Sequence, residues 1–152
     1  MKSRSHYGVY GLVIENNKIL FVDKVGGPYD GKLDLPGGGP KEGESKEETL
    51  RREFLEETGL IVEDFTLYDE DTVVFDFEYE GKMIRHSHKG TYYIINKYNG
   101  TVQNKVELDQ YNNDSLGAKF YNISELKEEN LSKIAIMELK KLGYLSKNKY
   151  VK

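Results

Sequence analysis

The segment from Gly38 to Leu60, GGPKEGESKEETLRREFLEETGL, joins a glycine-rich stretch to a strong helix signal. Ser45 followed by Glu48 predicts a capping box at a helix N-terminus. Gly59 is the residue type at which helices commonly end, because glycine readily adopts the left-handed conformation. The segment therefore predicts an α-helix over residues 46–58, preceded by a glycine-rich loop.

Three glutamates of this predicted helix share one face. At about 100° per residue, Glu53, Glu56 and Glu57 lie within an arc of about 100° that borders the apolar positions Leu50 and Phe54. When nothing but the clustering of charge is considered, such a stripe of glutamates is more often the solvent-exposed face of a helix. However, like charges at these spacings repel one another, and the C-terminal half of a helix disfavours anions. A divalent cation with oxygen ligands compensates both effects, so the stripe is also a candidate metal site.

The whole chain has 152 residues, of which 26 are acidic, 22 are basic and none is cysteine. This length predicts a single domain over residues 1–152. The absence of cysteine excludes disulfides and zinc sites that need sulfur. With a mean hydropathy of −0.67 and no long apolar run, we expect no signal peptide, no membrane partner and a cytoplasmic location. The net charge of −4 gives no indication of a stable nucleic-acid partner, whose binding domain is normally basic.

The rest of the chain alternates between strand and loop signals. The predicted elements are, in chain order, two strands within 7–25 with a turn at Asn16-Asn17, a loop over 26–44, the helix over 46–58, strands from Phe65 to Tyr98 with a turn at Glu80-Gly81, a polar loop over 99–115, a short strand over 118–121 and a helical segment over 124–144. This order predicts an α/β fold with a mixed sheet.

The spacing within the 38–60 segment is more specific than its charge. Its fixed positions are Gly38, Glu44 after five residues, then after seven more Arg52, Glu53, Glu56, Glu57 and Gly59. This pattern resembles the signature of the Nudix hydrolases, the MutT-like diphosphohydrolases, and all seven glycine or polar positions match. Seven chance matches have a probability on the order of 10⁻⁹ per start position. Phe54 is a mild departure, since the family usually has an aliphatic residue there.

The resemblance implies an α/β/α sandwich with a mixed central sheet. It also implies metal-dependent hydrolysis, with water as the nucleophile, of a diphosphate bond in a nucleoside diphosphate linked to another moiety. That substrate class includes nucleoside triphosphates, nucleotide sugars and dinucleoside polyphosphates. The implied cofactor is Mg²⁺ or Mn²⁺, with Glu53, Glu56 and Glu57 as its ligands. A catalytically silent nucleotide-binding or regulatory domain of the same fold is the alternative.

Further roles follow from the same resemblance. Arg52 would orient Glu53, and Glu44 would be an outer metal ligand or a structural partner of the loop. The carbonyl of Gly37 or Gly38 would be an additional metal ligand. The general base stays open, because the family places it differently in different members. The candidates are Glu53, Glu107, Asp109 and Asp114.

Several features outside the motif leave the substrate open. His86 and His88 point the same way if they lie on a strand, and they are candidates for a substrate contact. Such a pair is more often a half-exposed surface feature. Val74 stands where a proline would have indicated ADP-ribose, and Tyr79 is a weak indication of dinucleoside polyphosphates. A homodimer is compatible with the resemblance.

Overall fold

The computed structural model describes residues 1–103 and 115–145. Its elements are β1 Lys2–Leu12, β2 Ile14–Glu15, β3 Lys18–Lys24, β4 Leu33–Asp34, β5 Gly37–Gly38, α1 Lys46–Thr58, β6 Leu60–Tyr79, β7 Lys82–Gly100, β8 Ser115–Asn122 and α2 Lys133–Lys141. Three one-turn 3-10 helices lie at Gly27–Tyr29, Ile123–Glu125 and Glu128–Asn130.

Helix α1 has the predicted bounds and the predicted caps. The Ser45 hydroxyl accepts a hydrogen bond from Glu48 N at 3.1 Å, and the Glu48 carboxylate accepts one from Ser45 N at 2.8 Å. Gly59 follows the helix with φ 80°, in the left-handed region. The capping box and the glycine stop are therefore confirmed.

The two predicted turns are also confirmed. Asn16 and Asn17 have φ values of 52° and 60°, as a tight hairpin turn requires, and Glu80 and Gly81 join β6 to β7 with φ values of 50° and 76°. The strands are longer than predicted, since β1 begins at Lys2 and β6 at Leu60. The added residues of both strands are held by pairing with β7, a long-range interaction that local periodicity does not report.

Two predictions of secondary structure are wrong in part. The 26–44 segment is not irregular throughout, because Gly37–Gly38 pairs with β1 and Leu33–Asp34 pairs with β3. The C-terminal segment is not one helix. Leu131 forms a parallel bridge with Leu33, and Ser132 N donates to the Leu33 carbonyl at 2.8 Å, so α2 begins only after Ser132. Most of the predicted 99–115 loop lies outside the described residues.

The strands form two four-stranded sheets. One has the order β5-β1-β7-β6, in which β1 and β7 are parallel and the other neighbours antiparallel. The other has the order β2-β3-β4, with β8 also paired to β3. Successive side chains of β3 alternate between two cores: Ile19 and Phe21 pack in the cluster that contains α2, and Leu20 and Val22 pack in the cluster that contains α1. The sheets therefore lie between the two helices, as the α/β/α prediction requires.

Phe54 is accommodated by a glycine on β1. A Cβ atom at Gly11 would lie 2.5 Å from Cε1 and 2.6 Å from Cζ of the Phe54 ring. The ring is fully buried. It therefore fills the space that any larger residue at position 11 would need.

We predict that Gly11→Ala lowers the free energy of unfolding by about 1–3 kcal/mol, because the added methyl group overlaps the Phe54 ring. In a Phe54→Leu background the same substitution is expected to cost less. Urea unfolding of the four proteins of this double-mutant cycle measures the coupling. An equal loss in both backgrounds would show that the ring is not the cause.

A buried acid joins α2 to β6. Glu138 is fully buried, and within the described part of the chain neither of its carboxylate oxygens has a hydrogen-bond donor. Burial raises the pKa of Glu138 to about 9, with a further contribution from the neighbouring Asp69. Asp69 in turn accepts a hydrogen bond from Lys141 Nζ at 2.7 Å. The raised pKa keeps Glu138 protonated at neutral pH, next to the Asp69 carboxylate.

We predict that the protein loses stability as pH rises from about 5 towards 9. The folded state keeps the Glu138 proton in this window, whereas the unfolded chain releases it near the ordinary value for glutamate. Glu138→Gln keeps a donor for Asp69 and has no proton to lose. Thermal unfolding between pH 5 and 9 should show a flatter profile for this variant and a gain of about 1–2 kcal/mol over the parent at pH 8. Parallel profiles for the two proteins would contradict the assignment.

Candidate active site

The last turn of α1 is joined to β5 by a buried carboxylate. Glu57 is 5% exposed, and its Oε1 accepts a hydrogen bond from Gly37 N at 2.8 Å. Its Oε2 lies 3.4 Å from Lys24 Nζ at the end of β3. Gly37 has φ 147°, and a Cβ atom there would lie 2.1 Å from the Val9 carbonyl oxygen, so the position requires glycine.

Arg52 connects the glycine loop to the glutamates of α1. Its Nε and Nη2 contact the two carboxylate oxygens of Glu44 at 2.7 and 2.9 Å, a bidentate pair. Its Nη1 lies 3.0 Å from Glu53 Oε1 and 3.1 Å from Glu56 Oε1, and its Nη2 also donates to the Gly39 carbonyl at 3.1 Å. Hydrogen bonds from Arg52, and then from the backbone of Lys41, lower the pKa of Glu44 to about 2. Glu44 is thus held ionised as a partner of Arg52.

Glu53 packs against the backbone of β5. A Cβ atom at Gly38 would lie 2.6 Å from the carboxyl carbon of Glu53, so the glycine allows this approach. Burial raises the pKa of Glu53 above its ordinary value; the charge of Arg52 opposes this shift and that of Glu56 adds to it. The Glu53 carboxylate is therefore crowded by a like charge and partly removed from water.

The three glutamates of the stripe have different surroundings. Glu57 points into the protein, Glu53 lies at the edge of β5, and the Glu56 side chain is 50% exposed. Arg52 contacts Glu53 and Glu56, while Glu57 turns towards Gly37 and Lys24. In residues 1–103 and 115–145, no three histidine or acidic side chains converge closely enough to surround an ion. The structure thus brings Glu53 and Glu56 together around the Arg52 guanidinium, whereas Glu57 lies apart from them.

Three of the four candidates for the general base cannot be placed. Glu107, Asp109 and Asp114 lie outside the described residues. The fourth, Glu53, occupies the position described above.

His86 and His88 are buried, so the expectation of a half-exposed pair is wrong. They are 6% and 2% exposed, and they line a cavity of about 490 Å³ between β1, β7 and the segment after β3. His88 Nε2 lies 2.7 Å from the Tyr10 hydroxyl, and its Nδ1 lies 2.8 Å from the Tyr29 hydroxyl. These polar contacts let the imidazole lie inside the protein.

Sequence reasoning missed two residues at this site. Lys24 contacts Glu57, and Tyr10 contacts His88, yet each lies in a strand with no motif around it. The partners lie 33 and 78 residues away in the chain, so no local pattern reports either contact.

Neither helix among the described residues has the length and apolarity to cross a membrane.

The fold resembles that of known hydrolases. The MutT NUDIX hydrolase from Burkholderia pseudomallei superposes with a TM-score of 0.65 over 90% of this chain and 97% of its own, at 19% identity. A MutT protein from Bacillus halodurans superposes with a TM-score of 0.65 over 89% of this chain and 80% of its own, at 22% identity. At these identities, the likeness shows the fold.

The sequence matches one relative over a short segment and a family model over most of the chain. A segment of 53 residues, 35% of this chain, is 45% identical to the ADP-ribose pyrophosphatase of Methanocaldococcus jannaschii. The match spans only 31% of that relative. The model of the NUDIX domain, in contrast, matches residues 4–139 and so includes α1, both glycines of β5 and most of α2. The chain therefore belongs to the Nudix hydrolase family.

Proposed function

We propose that this protein hydrolyses a diphosphate bond in a nucleoside diphosphate linked to another moiety, with water as the nucleophile. One observation carries the proposal. The glutamates of α1 lie against the glycines of β5, in a chain whose residues 4–139 match the NUDIX domain. Membership of the family supports diphosphate hydrolysis in general. At this junction, carboxylate oxygens lie next to glycine backbone that no side chain covers.

The donors at this junction are of the chemical type that Mg²⁺ or Mn²⁺ prefers, although in residues 1–103 and 115–145 the three glutamates do not converge on one point and would have to turn towards the ion. Glu53, Glu56 and Glu57 offer only oxygen atoms, which these hard cations prefer, and the carbonyl of Gly37 or Gly38 adds another. Glu53 and Glu56 already converge on one cationic atom, Arg52 Nη1, at 3.0 and 3.1 Å. We propose these three glutamates as the metal ligands. When bound, such an ion neutralises charge on a diphosphate and makes a bound water more acidic.

The remaining roles belong to side chains of the chain itself. We propose that Arg52, held by Glu44, orients Glu53, and that the hydrogen bond from Gly37 N orients Glu57. Glu53 is the general base that the described residues favour. Its carboxylate lies against Gly38 of β5, and the hydrogen bond from Arg52 Nη1 fixes its orientation. Glu107, Asp109 and Asp114 are the competing candidates.

The substrate class comes from the family and from one relative. The matched segment of the Methanocaldococcus jannaschii protein belongs to an ADP-ribose pyrophosphatase, so ADP-ribose joins nucleoside triphosphates, nucleotide sugars and dinucleoside polyphosphates as a candidate. We further propose that residues 1–152 act as one domain on a small molecule, without a membrane or nucleic-acid partner. A homodimer and a cytoplasmic location stay predictions.

We predict that Glu56→Gln lowers kcat/KM by about a hundredfold or more with Mg²⁺ or Mn²⁺ on the best of these four substrate classes. The substitution keeps the size of the side chain and removes the charge that a cation requires. Glu63→Gln, which removes an exposed carboxylate of β6, is the matched control and should retain the parent rate.

Titration of the parent with Mn²⁺ separates the possible failures of this proposal. Absence of measurable Mn²⁺ binding would contradict the metal site. Binding of metal and nucleotide without release of any hydrolysis product would identify a catalytically silent domain instead.

We predict that Gly38→Ala lowers kcat/KM by about tenfold or more while the melting temperature changes by only a few degrees. The new methyl group meets the movable end of Glu53, not backbone, so the fold adjusts by displacing that carboxylate. Gly39→Ala is the matched control, because its Cβ meets only ordinary contacts, 3.5 Å from the Tyr7 carbonyl oxygen and 3.7 Å from His6 Cε1. A greater loss of rate in Gly39→Ala than in Gly38→Ala would refute the role assigned to Glu53.

A further inference from the structure

Thr49 is a polar residue on the buried face of α1. It is fully buried, as are Leu50 and Phe54, which pack in the core beneath the helix. A helix position in such surroundings usually carries an apolar side chain. The Thr49 Oγ1 atom lies 2.9 Å from the Ser45 carbonyl oxygen and 2.8 Å from Glu44 Oε1. The side chain thus connects the helix to the residue that precedes its N-cap.

The Thr49 hydroxyl has one proton for these two acceptors. A threonine in a helix commonly donates to the carbonyl four residues earlier, so the Ser45 contact alone has a local explanation. The Ser45 carbonyl already accepts from Thr49 N at 2.9 Å, whereas Glu44 presents an ionised oxygen. Hydrogen bonds to an ionised acceptor are roughly twice as strong as those between neutral groups, so Glu44 is the favoured partner of the proton.

Glu44 is held by the loop and by the helix at the same time. Its Oε1 accepts from Lys41 N at 2.9 Å on the loop and from Thr49 Oγ1 at 2.8 Å on the helix. The carboxylate also contacts Arg52, with Nη2 2.9 Å from Oε1 and Nε 2.7 Å from Oε2. Two donors that do not belong to Arg52 therefore fix the position of Oε1, and a bidentate pair requires both carboxylate oxygens to be in place.

The position of the Arg52 guanidinium decides where its other contacts fall. Its Nη1 lies 3.0 Å from Glu53 Oε1 and 3.1 Å from Glu56 Oε1. Because the guanidinium group is rigid and planar, a rotation at the Glu44 end displaces Nη1 at the other end. A series of contacts therefore leads from the Thr49 hydroxyl to two of the proposed metal ligands.

We propose that Thr49 is a positioning residue of the candidate active site. Its hydroxyl fixes Glu44, and Glu44 fixes the guanidinium of Arg52. That guanidinium in turn orients Glu53 and Glu56. The consequence for catalysis rests on the proposed function, because it requires these two glutamates to hold a metal ion. The effect on Arg52 concerns the metal-free protein and does not depend on hydrolysis.

The Nε–H group of Arg52 reports on this effect by NMR in the metal-free protein. Its proton is donated to Glu44 Oε2, and a hydrogen bond of this kind slows exchange with water. The resonance is assigned by its loss in Arg52→Lys. We expect Thr49→Val, which replaces the hydroxyl with a methyl group of similar size, to shift this resonance and to speed its exchange by about fivefold or more. Thr49→Ser keeps the hydroxyl and should restore the exchange rate of the parent.

Hydrolysis gives a second measurement. With Mg²⁺ or Mn²⁺, Thr49→Val is expected to lower kcat/KM by about three- to tenfold, and Thr49→Ser should recover most of the loss. Thr91→Val is the matched control, because Thr91 is also fully buried and its hydroxyl contacts Tyr7 and Glu70, neither of which lies in the 38–60 segment. This control should keep the parent rate and the parent resonance of Arg52.

A double-mutant cycle tests whether Thr49 acts through Glu44. Glu44→Gln removes the charge that pairs with Arg52, so Thr49→Val should change kcat/KM and the Arg52 resonance little in that background. Additive effects of the two substitutions would show that Thr49 acts by another route, and would overturn the proposal.

The outcomes distinguish this proposal from the proposed function. An unchanged Arg52 exchange rate in both Thr49→Val and Thr49→Ala overturns the positioning role, whatever the protein hydrolyses. Fast exchange in Thr49→Ser would assign the effect to packing of the methyl group and would also overturn it. A perturbed Arg52 in Thr49→Val, restored in Thr49→Ser, supports the positioning role even if the parent hydrolyses no diphosphate, a result that would refute the proposed function alone.

Discussion

The hydrogen bond from Gly37 N to the Glu57 carboxylate is the constraint on which the rest of the site depends. Glu57 is buried in the last turn of α1, where the helix dipole disfavours an anion, so its charge needs partners. Gly37 N and Lys24 provide them. Because β5 is in turn paired with Val9 and Tyr10 of β1, this contact sets the position of α1 against the sheet. The approach of Glu53 to Gly38 and of Arg52 to Gly39 follows from the same docking.

Successive side chains of a strand point to opposite faces, so one strand can contribute to both the hydrophobic core and the cavity. On β1, Val9 packs in the cluster that contains α1, whereas the next residue, Tyr10, lines the cavity and contacts His88. Lys24, at the end of β3, lines the cavity and contacts Glu57. The carboxylates of α1 and the cavity are therefore adjacent, and Lys24 contacts both.

Negative side chains outnumber positive ones at the end of α1, and this excess affects the binding of an anionic ligand. Four carboxylates, those of Glu44, Glu53, Glu56 and Glu57, face two cations, Arg52 and Lys24. Arg52 is shared by three of them, and the pair with Glu44 is the only bidentate one of the three. An anionic diphosphate would be repelled by the remaining negative charge, and a bound dication would remove that repulsion. The proposed metal thus accounts for a cluster that is otherwise unfavourable to the fold and to the ligand.

The sequence by itself determined the helix, its caps, the two turns and the family. Each of these depends on residues close together in the chain, such as Ser45 with Glu48, or Asn16 with Asn17, whose conformational preferences act locally. Only the tertiary structure decided how far β1 and β6 extend, where α2 begins, and that His86 and His88 are buried beside Tyr10 and Tyr29. These features depend on contacts between residues 33 to 98 positions apart, from Asp64 with Lys97 to Leu33 with Leu131. Spacing along a chain carries no information about such contacts, because they exist only once the strands have paired.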